Sequence, residues 1–322
     1  MKSIVFFNNK GGVGKTTTVY HVAWMMSELG CKVLAVDLDP QSNLSSMFIS
    51  QARMEEVVLD ESNKDTILDA IAPIGDGEAY VPVHIEKINE NISLLIGNLS
   101  LSAFEDKLSD AWSKCLSGDS YAFKVTSVFK TLFTDAAQRT NANYVLIDVG
   151  PNLGAMNRSI LISTNNVVIP VSPDLFSLQG IKNLGKTLRE WKIQWDKRVN
   201  EYPTNREKSL IPDGKMTPIG YLVMQYSAKD SRPVKSYLKW TERIPIAYSE
   251  YVLNQSKVSE TDEYRLALLK HYHSLAPMSM EARKPIFLLK PADGAIGAHL
   301  SAVNRCYDDF KVLTKKIMSL SK

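Results

Sequence analysis

A glycine-rich segment near the N-terminus carries residue types that bind phosphate. Residues 9–16 read Asn-Lys-Gly-Gly-Val-Gly-Lys-Thr, which matches the phosphate-loop pattern GxxxxGK[ST] except that Asn9 stands at the first glycine. Glycines allow backbone N–H groups to curl around phosphate oxygens, and the N-terminus of a following helix adds its positive dipole. In this pattern Lys15 reaches the β- and γ-phosphates and the Thr16 hydroxyl ligates Mg²⁺. The segment therefore predicts a nucleoside triphosphate site.

Three aspartates follow apolar runs that have the length of strands. Asp37 and Asp39 come after one run, in VDLD, and Asp148 ends another, in YVLID. One such aspartate alone is common at a strand end, where it caps the next turn. Three of them beside a phosphate loop favour a metal site, since a carboxylate there holds Mg²⁺ directly or through water. Thr16, Asp39 and Asp148 are the predicted magnesium ligands.

Short apolar runs alternate with helical patterns through most of the chain, and this indicates how the site is positioned. A helix is predicted over 16–29, between the glycine-rich turn and Gly30. Nearly continuous apolar strands separated by helices predict a doubly wound α/β fold, with a mostly parallel sheet and helices on both faces. Ligands bind such sheets at the carboxyl ends of the strands. Strands are predicted at 4–7, 33–36, 144–147, 167–171, 219–224 and 286–289.

Composition excludes several classes of protein. The 322 residues are 44% hydrophobic and 23% charged, as is usual for a soluble globular protein, and no run of 18 apolar residues predicts a spanning helix. The N-terminal apolar run is too short for a secretion signal. Cys31, Cys115 and Cys306 are scattered, which excludes a disulfide scaffold and a clustered cysteine metal site and favours a cytoplasmic protein.

The chain is interpreted as one domain, 1–322, with insertions. The insertions are predicted near 50–90, 192–217 and 254–276, and residues 50–90, 198–217 and 254–276 fit the alternating scheme poorly. Residues 198–217 are predicted to form a surface loop, and 254–276 a polar, helix-compatible stretch.

Charge is distributed unevenly along the chain. Residues 1–175 contain 13 Lys and Arg against 20 Asp and Glu, whereas residues 176–322 contain 25 against 15. Solvated helix faces can account for such an excess. A C-terminal half that faces a polyanion is the alternative interpretation.

Four segments together resemble the ParA/MinD family of dimerising ATPases, and most closely its ParA (Soj-like) branch. KGGVGKTT at 10–17 is similar to the deviant Walker A motif of that family, and it is followed by VDLDPQSN, IDVGPNLG and VVIPVSPDLFSLQGIKNL. The resemblance is strongest over 1–190 and extends more loosely to the end. The sequence departs from the family after Asp148, where a Pro-Pro pair is usual and Val-Gly-Pro stands here.

The resemblance implies roles for individual residues. Lys10 matches the signature lysine, which crosses a dimer interface to the partner's nucleotide, and Gly12 matches a glycine at that interface. Asp39 matches the residue that orients the attacking water, so Lys10, Lys15 and Asp39 are the predicted catalytic residues. Adenine contacts are assigned to Gln225 and to Pro245, in a loop reading IPIA. The predicted nucleotide-binding residues are Gly11, Gly12, Val13, Gly14, Lys15, Thr16, Thr17, Gln225 and Pro245.

ATP is favoured over GTP as the nucleotide. GTPases of the wider class read guanine with an NKxD motif after a late strand, and the corresponding segment here is MQYSAKDS.

The resemblance then implies a Mg²⁺-dependent partition or positioning ATPase, associated with the nucleoid, whose hydrolysis is stimulated by a ParB-like adaptor. It also implies an ATP-dependent homodimer that binds double-stranded DNA without sequence preference. Residues 229–243 hold five basic residues against two acidic ones, and the predicted DNA contacts are Lys235, Lys239 and Arg243.

Three other members of this structural class are weighed against that interpretation. A MinD-like membrane switch needs a terminal amphipathic helix, and residues 307–322 place apolar residues at helical spacing beside lysines. The same spacing suits a helix docked on the core, which is preferred, so membrane binding is not expected. An iron–sulfur reductase is discarded because no cysteine lies between Cys115 and Cys306. Metabolic ligases of this fold generally lack the lysine found at Lys10.

Overall fold

The computed structural model describes residues 1–60, 62–203, 208–226, 228–229, 232–233, 239–255, 262–272 and 274–321. Its strands are β1 (Lys2–Phe6), β2 (Val33–Leu38), β3 (Glu86–Lys87), β4 (Ile92–Leu95), β5 (Tyr144–Val149), β6 (Asn166–Val171), β7 (Thr217–Tyr226), β8 (Ala228–Lys229), β9 (Arg232–Pro233) and β10 (Arg265–Lys270). Its α-helices are α1 (Lys15–Glu28), α2 (Asn43–Phe48), α3 (Gln51–Leu59), α4 (Ile67–Gly75), α5 (Glu105–Lys114), α6 (Ser120–Thr126), α7 (Val128–Thr140), α8 (Ala155–Ile162), α9 (Leu175–Asn200), α10 (Ile244–Ala247), α11 (Leu275–Ala282) and α12 (Ala298–Leu320).

One eight-stranded sheet organises these elements, in the order β10-β7-β6-β1-β5-β2-β4-β3. All neighbours in it are parallel except β3, which runs antiparallel to β4. Strands β2, β5 and β6 are buried along their whole length, as expected when helices cover both faces of a sheet. The predicted doubly wound α/β fold is confirmed.

Helices on the two faces enclose two separate hydrophobic cores. One core lies under α4 to α10 and includes Leu108, Phe129 and Trp195. The other lies under α1, α2, α3, α11 and α12 and includes Met25 and Phe310. The parallel strands end at one edge of the sheet, because β5 pairs in register with both β1 and β2. This edge receives the residues that follow β1, β2 and β5, which are the predicted site residues.

Three predictions of secondary structure are wrong. Residues 286–289 form a 3-10 helix, Ile286–Leu288, instead of a strand, and the Ile286 amide donates to the His21 side chain rather than to a sheet. The segment 254–276 contains an edge strand, β10, whose Leu266 and Leu269 are buried beside β7. The loop predicted at 198–217 begins later, because α9 continues to Asn200.

The terminal helix α12 docks on the core, as preferred from the sequence. Its Phe310, Leu313 and Ile317 are at most 2% exposed. Among the described residues no helix is long and apolar enough to cross a membrane.

Candidate nucleotide site

The glycine-rich loop joins β1 to α1 in a conformation that only glycine adopts readily. Gly12 and Gly14 have φ angles of 72° and 79°, in the left-handed region. A Cβ at Gly14 would lie 2.7 Å from the Met224 Cε atom, so the loop also packs closely against the end of β7. The first amides of α1 have no acceptor within the helix and can donate to an anion. The loop therefore has the geometry of a phosphate cradle.

The Lys15 side chain lies over this loop. Lys15 is 7% exposed, and its Nζ atom is 3.5 Å from the Lys10 carbonyl oxygen. Burial lowers the pKa of Lys15, and the charges of Asp148 and Asp39 partly oppose that change. A buried ammonium group gains from an anionic partner, and phosphate oxygens would supply one.

Asp37 and Asp148 are neighbours across β2 and β5, and both are completely buried. Burial raises the pKa of Asp37 to about 7, although its Oδ2 atom accepts hydrogen bonds of 2.7 Å from both the backbone amide and the hydroxyl of Ser45. Burial and the nearby Asp37 raise the pKa of Asp148 to about 8, and the Thr16 hydroxyl opposes the rise. Two carboxyl groups that are both completely buried favour a bound cation.

Asp148 fits a metal-ligand role on geometric grounds as well. Neither of its carboxylate oxygens has a hydrogen bond of good geometry among the described residues. The adjacent Thr16 hydroxyl is a second oxygen donor of the kind that Mg²⁺ prefers. Within the described part of the chain no three His, Cys, Asp or Glu side chains form a metal cluster by themselves. A magnesium ion here would need phosphate oxygens and water to complete its coordination.

Asp39 lies at the loop that follows β2. Its Oδ1 atom accepts from the Gln41 amide at 3.0 Å. A Cβ at Gly150 would lie 3.5 Å from the same oxygen, so Asp39 faces the segment directly after Asp148. The two strand-end loops thus converge beside the glycine-rich loop.

Lys10 pairs within its own subunit. Its Nζ atom donates to Asp174 Oδ2 at 2.5 Å, and both side chains are about one third exposed (32% and 35%). Asp174 is the N-cap of α9, where its Oδ1 atom accepts from the Ser177 amide. Burial by itself would raise the pKa of Asp174, but the hydrogen bonds from Lys10 and Ser177 outweigh it and the pKa is lowered.

Comparison with known proteins assigns this arrangement to a family. The AAA domain family AAA_31 matches residues 1–200. The sporulation initiation inhibitor protein Soj of Bacillus subtilis is 29% identical over 189 residues, which is 58% of this chain and 65% of Soj. The chain belongs to the ParA/MinD family of ATPases.

Two further relatives cover more of the chain. An uncharacterized protein of Methanocaldococcus jannaschii, MJECL24, is 28% identical over 73% of this chain and 77% of its own length. The crystal structure of protein DIP2308 from Corynebacterium diphtheriae is 26% identical, with a TM-score of 0.73, and covers 88% of this chain and 97% of that protein. The match to Soj, by contrast, spans less than two thirds of Soj.

A cavity beside the phosphate loop of this ParA/MinD-family chain was missed by the sequence analysis. It encloses about 320 Å³ between α1, α2 and α11. Residues far apart in the chain form it, and no local motif marks those from α11. Its lining consists of Thr16, Thr17, His21, Asn43, Ser46, Met47, Ala276, Ser279, Met280 and Ile286.

His21 is a buried link in the wall of this cavity. Its Nδ1 atom is 2.7 Å from the Thr17 carbonyl oxygen, and its Nε2 atom accepts from the Ile286 amide at 3.0 Å. Nδ1 therefore carries the proton, and the ring is neutral. Burial lowers the pKa of His21 to about 4. The side chain connects the start of α1 to the segment that precedes α12.

The two residues predicted to contact adenine lie in different surroundings. Pro245 belongs to the short helix α10, which packs on α9, so the prediction that it lies in a loop is wrong. Gln225 lies near the end of β7 and follows Met224, which packs against Gly14 of the glycine-rich loop; the structure does not describe the Gln225 side chain.

Two of the three predicted DNA contacts are described. Lys239 and Arg243 are exposed and lie beside the Trp240 ring, with the Nζ and Cζ atoms 5.1 and 5.5 Å from its centroid. Lys235 lies outside the described residues.

Proposed function

We propose that the protein is a partition or positioning ATPase that closes into a two-fold dimer around two ATP molecules. The observation that carries the proposal is the openness of the glycine-rich loop. Gly11 and Gly12 are exposed, and no described atom lies within 4 Å of a Cβ built at either. Lys10 stands directly beside them. A second subunit can therefore approach this face closely enough for Lys10 to reach its nucleotide.

Hydrolysis at this site is attributed to four side chains. Lys15 neutralises the charge that develops on the phosphates, in surroundings that already disfavour its unpaired ammonium form. Asp39 orients the attacking water, because its carboxylate lies between the loops that follow β2 and β5. Thr16 and Asp148 would hold Mg²⁺, which would offset the negative charge of the phosphates.

The nucleoside of ATP is assigned to the cavity of about 320 Å³ between α1, α2 and α11. Thr16 and Thr17 line both this cavity and the predicted phosphate site, so one ligand can occupy the two together. The volume falls in the range of small-ligand pockets. Pro245 is not among the described residues that line this cavity, so this assignment replaces it as the predicted adenine contact.

The dimerisation step is tested with Lys10→Ala. Lys32→Ala serves as the control, because Lys32 is an exposed lysine that precedes β2, at the opposite edge of the sheet. Light scattering with saturating ATP and Mg²⁺ should report a dimer for the control and a monomer for Lys10→Ala. A fluorescent ATP analogue should bind both. A dimer formed by Lys10→Ala would contradict the proposal.

Non-specific DNA is the proposed surface on which the ATP dimer acts. Lys239 and Arg243 present two exposed cations beside an aromatic ring, a combination that suits phosphate contact. Phosphate contacts carry no sequence information, and pairing two such faces in the dimer raises avidity. A gel shift on random duplex should therefore require ATP and weaken steeply with salt. Retention by anionic liposomes instead of DNA would favour a MinD-like membrane switch.

An adaptor of the ParB type is the proposed activator. ATP turnover should be slow for the protein alone and should rise when both DNA and the adaptor are added. Turnover that is fast and unaffected by either would contradict this part of the proposal.

A further inference from the structure

Glu105, in the first turn of α5, caps the start of helix α8. Its Oε1 atom accepts from the Ala155 amide, and its Oε2 atom accepts from the Met156 amide at 2.9 Å. Both amides lie in the first turn of α8, where a helix offers no internal acceptor, and a negative charge there also interacts favourably with the helix dipole. A Cβ at Gly154 would collide with Glu105 Oε1, so the glycine allows this close approach.

Helix α5 is itself held firmly against its neighbours. The Trp112 ring of α5 contacts two guanidinium groups. The Cζ atoms of Arg158 from α8 and Arg198 from α9 lie 4.1 and 4.2 Å from the centroid of the ring. Arg198 Nε also donates to the Trp112 carbonyl oxygen at 2.7 Å. These contacts fix the position from which Glu105 reaches α8.

The same end of α8 holds the loop that leads back to the catalytic edge. Asn157 Nδ2 donates to the carbonyl oxygens of Gly150 and Asn152, at 2.8 and 2.7 Å. Gly150 is the residue that faces the Asp39 carboxylate. Hydrogen bonds thus run from Glu105 through the first turn of α8 to the 150–154 loop, whose Gly150 faces Asp39.

We infer that Glu105 is a positioning residue for ATP hydrolysis, acting through the 150–154 loop on Asp39. The inference rests on the proposed ATPase mechanism and is independent of DNA and of the adaptor. The hydrogen bonds described for Glu105 go to α8 and not to the phosphate loop. Loss of its carboxylate should therefore reduce kcat much more than it weakens nucleotide binding.

The test compares Glu105→Ala and Glu105→Gln with Asp106→Ala, an exposed acid in the same helical turn. Glu105→Ala should lower kcat by at least about tenfold, since small displacements at a reacting centre have large effects on rate. Its affinity for a fluorescent ATP analogue should stay within about twofold of the wild type. Glu105→Gln keeps one acceptor oxygen and should recover part of kcat, and Asp106→Ala should match the wild type.

Amide hydrogen exchange of residues 150–157 gives a readout that does not depend on turnover. Exchange there should be faster in Glu105→Ala than in Asp106→Ala, while exchange in β1 stays the same. Wild-type kcat, or unchanged exchange, in a folded Glu105→Ala variant would overturn the inference. If the wild type itself hydrolyses no ATP, the proposed function fails, and the exchange data still decide whether Glu105 holds the loop.

Discussion

Lys10 and Asp174 form an ion pair within one subunit, with the lysine ammonium 2.5 Å from the carboxylate oxygen at the start of α9. The lysine that is proposed to contact the partner's nucleotide is thus paired with a carboxylate of its own subunit. Ion pairs with this degree of exposure contribute about 0–1 kcal/mol. Phosphate groups could therefore displace Asp174, and the pair would add a small free-energy cost to the proposed dimerisation.

Replacing Asp174 by Asn should strengthen ATP-dependent dimerisation by up to about thirtyfold, because each dimer releases two such ion pairs at up to about 1 kcal/mol each. Asn keeps an oxygen that can accept from the Ser177 amide, so α9 retains its N-cap while Lys10 loses its charged partner. Sedimentation of the variant in an Asp39→Ala background measures the dimer constant. Asp196→Asn, which removes another exposed acid of α9 paired with a lysine, is the control. Dimerisation that is unchanged or weaker in Asp174→Asn would refute the competition.

Asp39→Ala should keep ATP binding and lose hydrolysis, because the proposed role of its carboxylate is to orient water and not to hold the phosphates. Lys15→Ala should instead weaken ATP binding, because it removes the main side-chain contact of the phosphate loop. Nucleotide titration and steady-state turnover separate the two effects. Hydrolysis by Asp39→Ala at the wild-type rate would show that another residue orients the water.

Acid should destabilise the protein through His21. Its folded pKa of about 4 lies below the value of 6.5 in an unfolded chain, so the unfolded state binds more protons between these values. The contribution of neutral His21 to the free energy of unfolding is complete above pH 6.5 and is lost as the pH falls toward 4. Between pH 7 and 5 the wild type should lose about 2 kcal/mol more of unfolding free energy than His21→Gln.

Urea unfolding at the two pH values checks this difference. The raised pKa values of Asp37 and Asp148 have the opposite effect on stability. Protonation of these two carboxyl groups as the pH falls stabilises the folded state. They are present in both proteins and cancel in the comparison. An equal pH dependence in the wild type and the variant would mean that His21 is not buried in its neutral form.

Removing the two described cations of the proposed DNA surface should weaken binding without changing its sequence preference. Lys239→Ala with Arg243→Ala should reduce the salt slope of binding by about two for each subunit that contacts DNA. A charge-matched double variant, Lys107→Ala with Lys114→Ala on α5, should bind normally. Gel shifts at several salt concentrations on two unrelated duplexes provide the measurement. Equal losses in both double variants would indicate a general charge effect.

The sequence by itself determined the phosphate loop and the acids at the strand ends. These features are local, because the loop needs glycines with positive φ next to a helix start, and an apolar strand ending in an acid spans a handful of residues. The parallel sheet followed for the same reason, since β2, β5 and β6 are buried on both faces and read as unbroken apolar runs.

Only the tertiary structure decided the features that depend on distant segments. β10 is a short edge strand with mixed burial, and its pairing with β7 outweighs a pattern that looked polar and helical. Ile286 gives its amide to His21, 265 residues away, and so forms a 3-10 turn instead of a strand. Glu105 and Asp174 acquire their partners through packing of α5 against α8 and of α9 beside the phosphate loop. No local pattern encodes such contacts, because they arise from long-range packing after the helices are placed on the sheet.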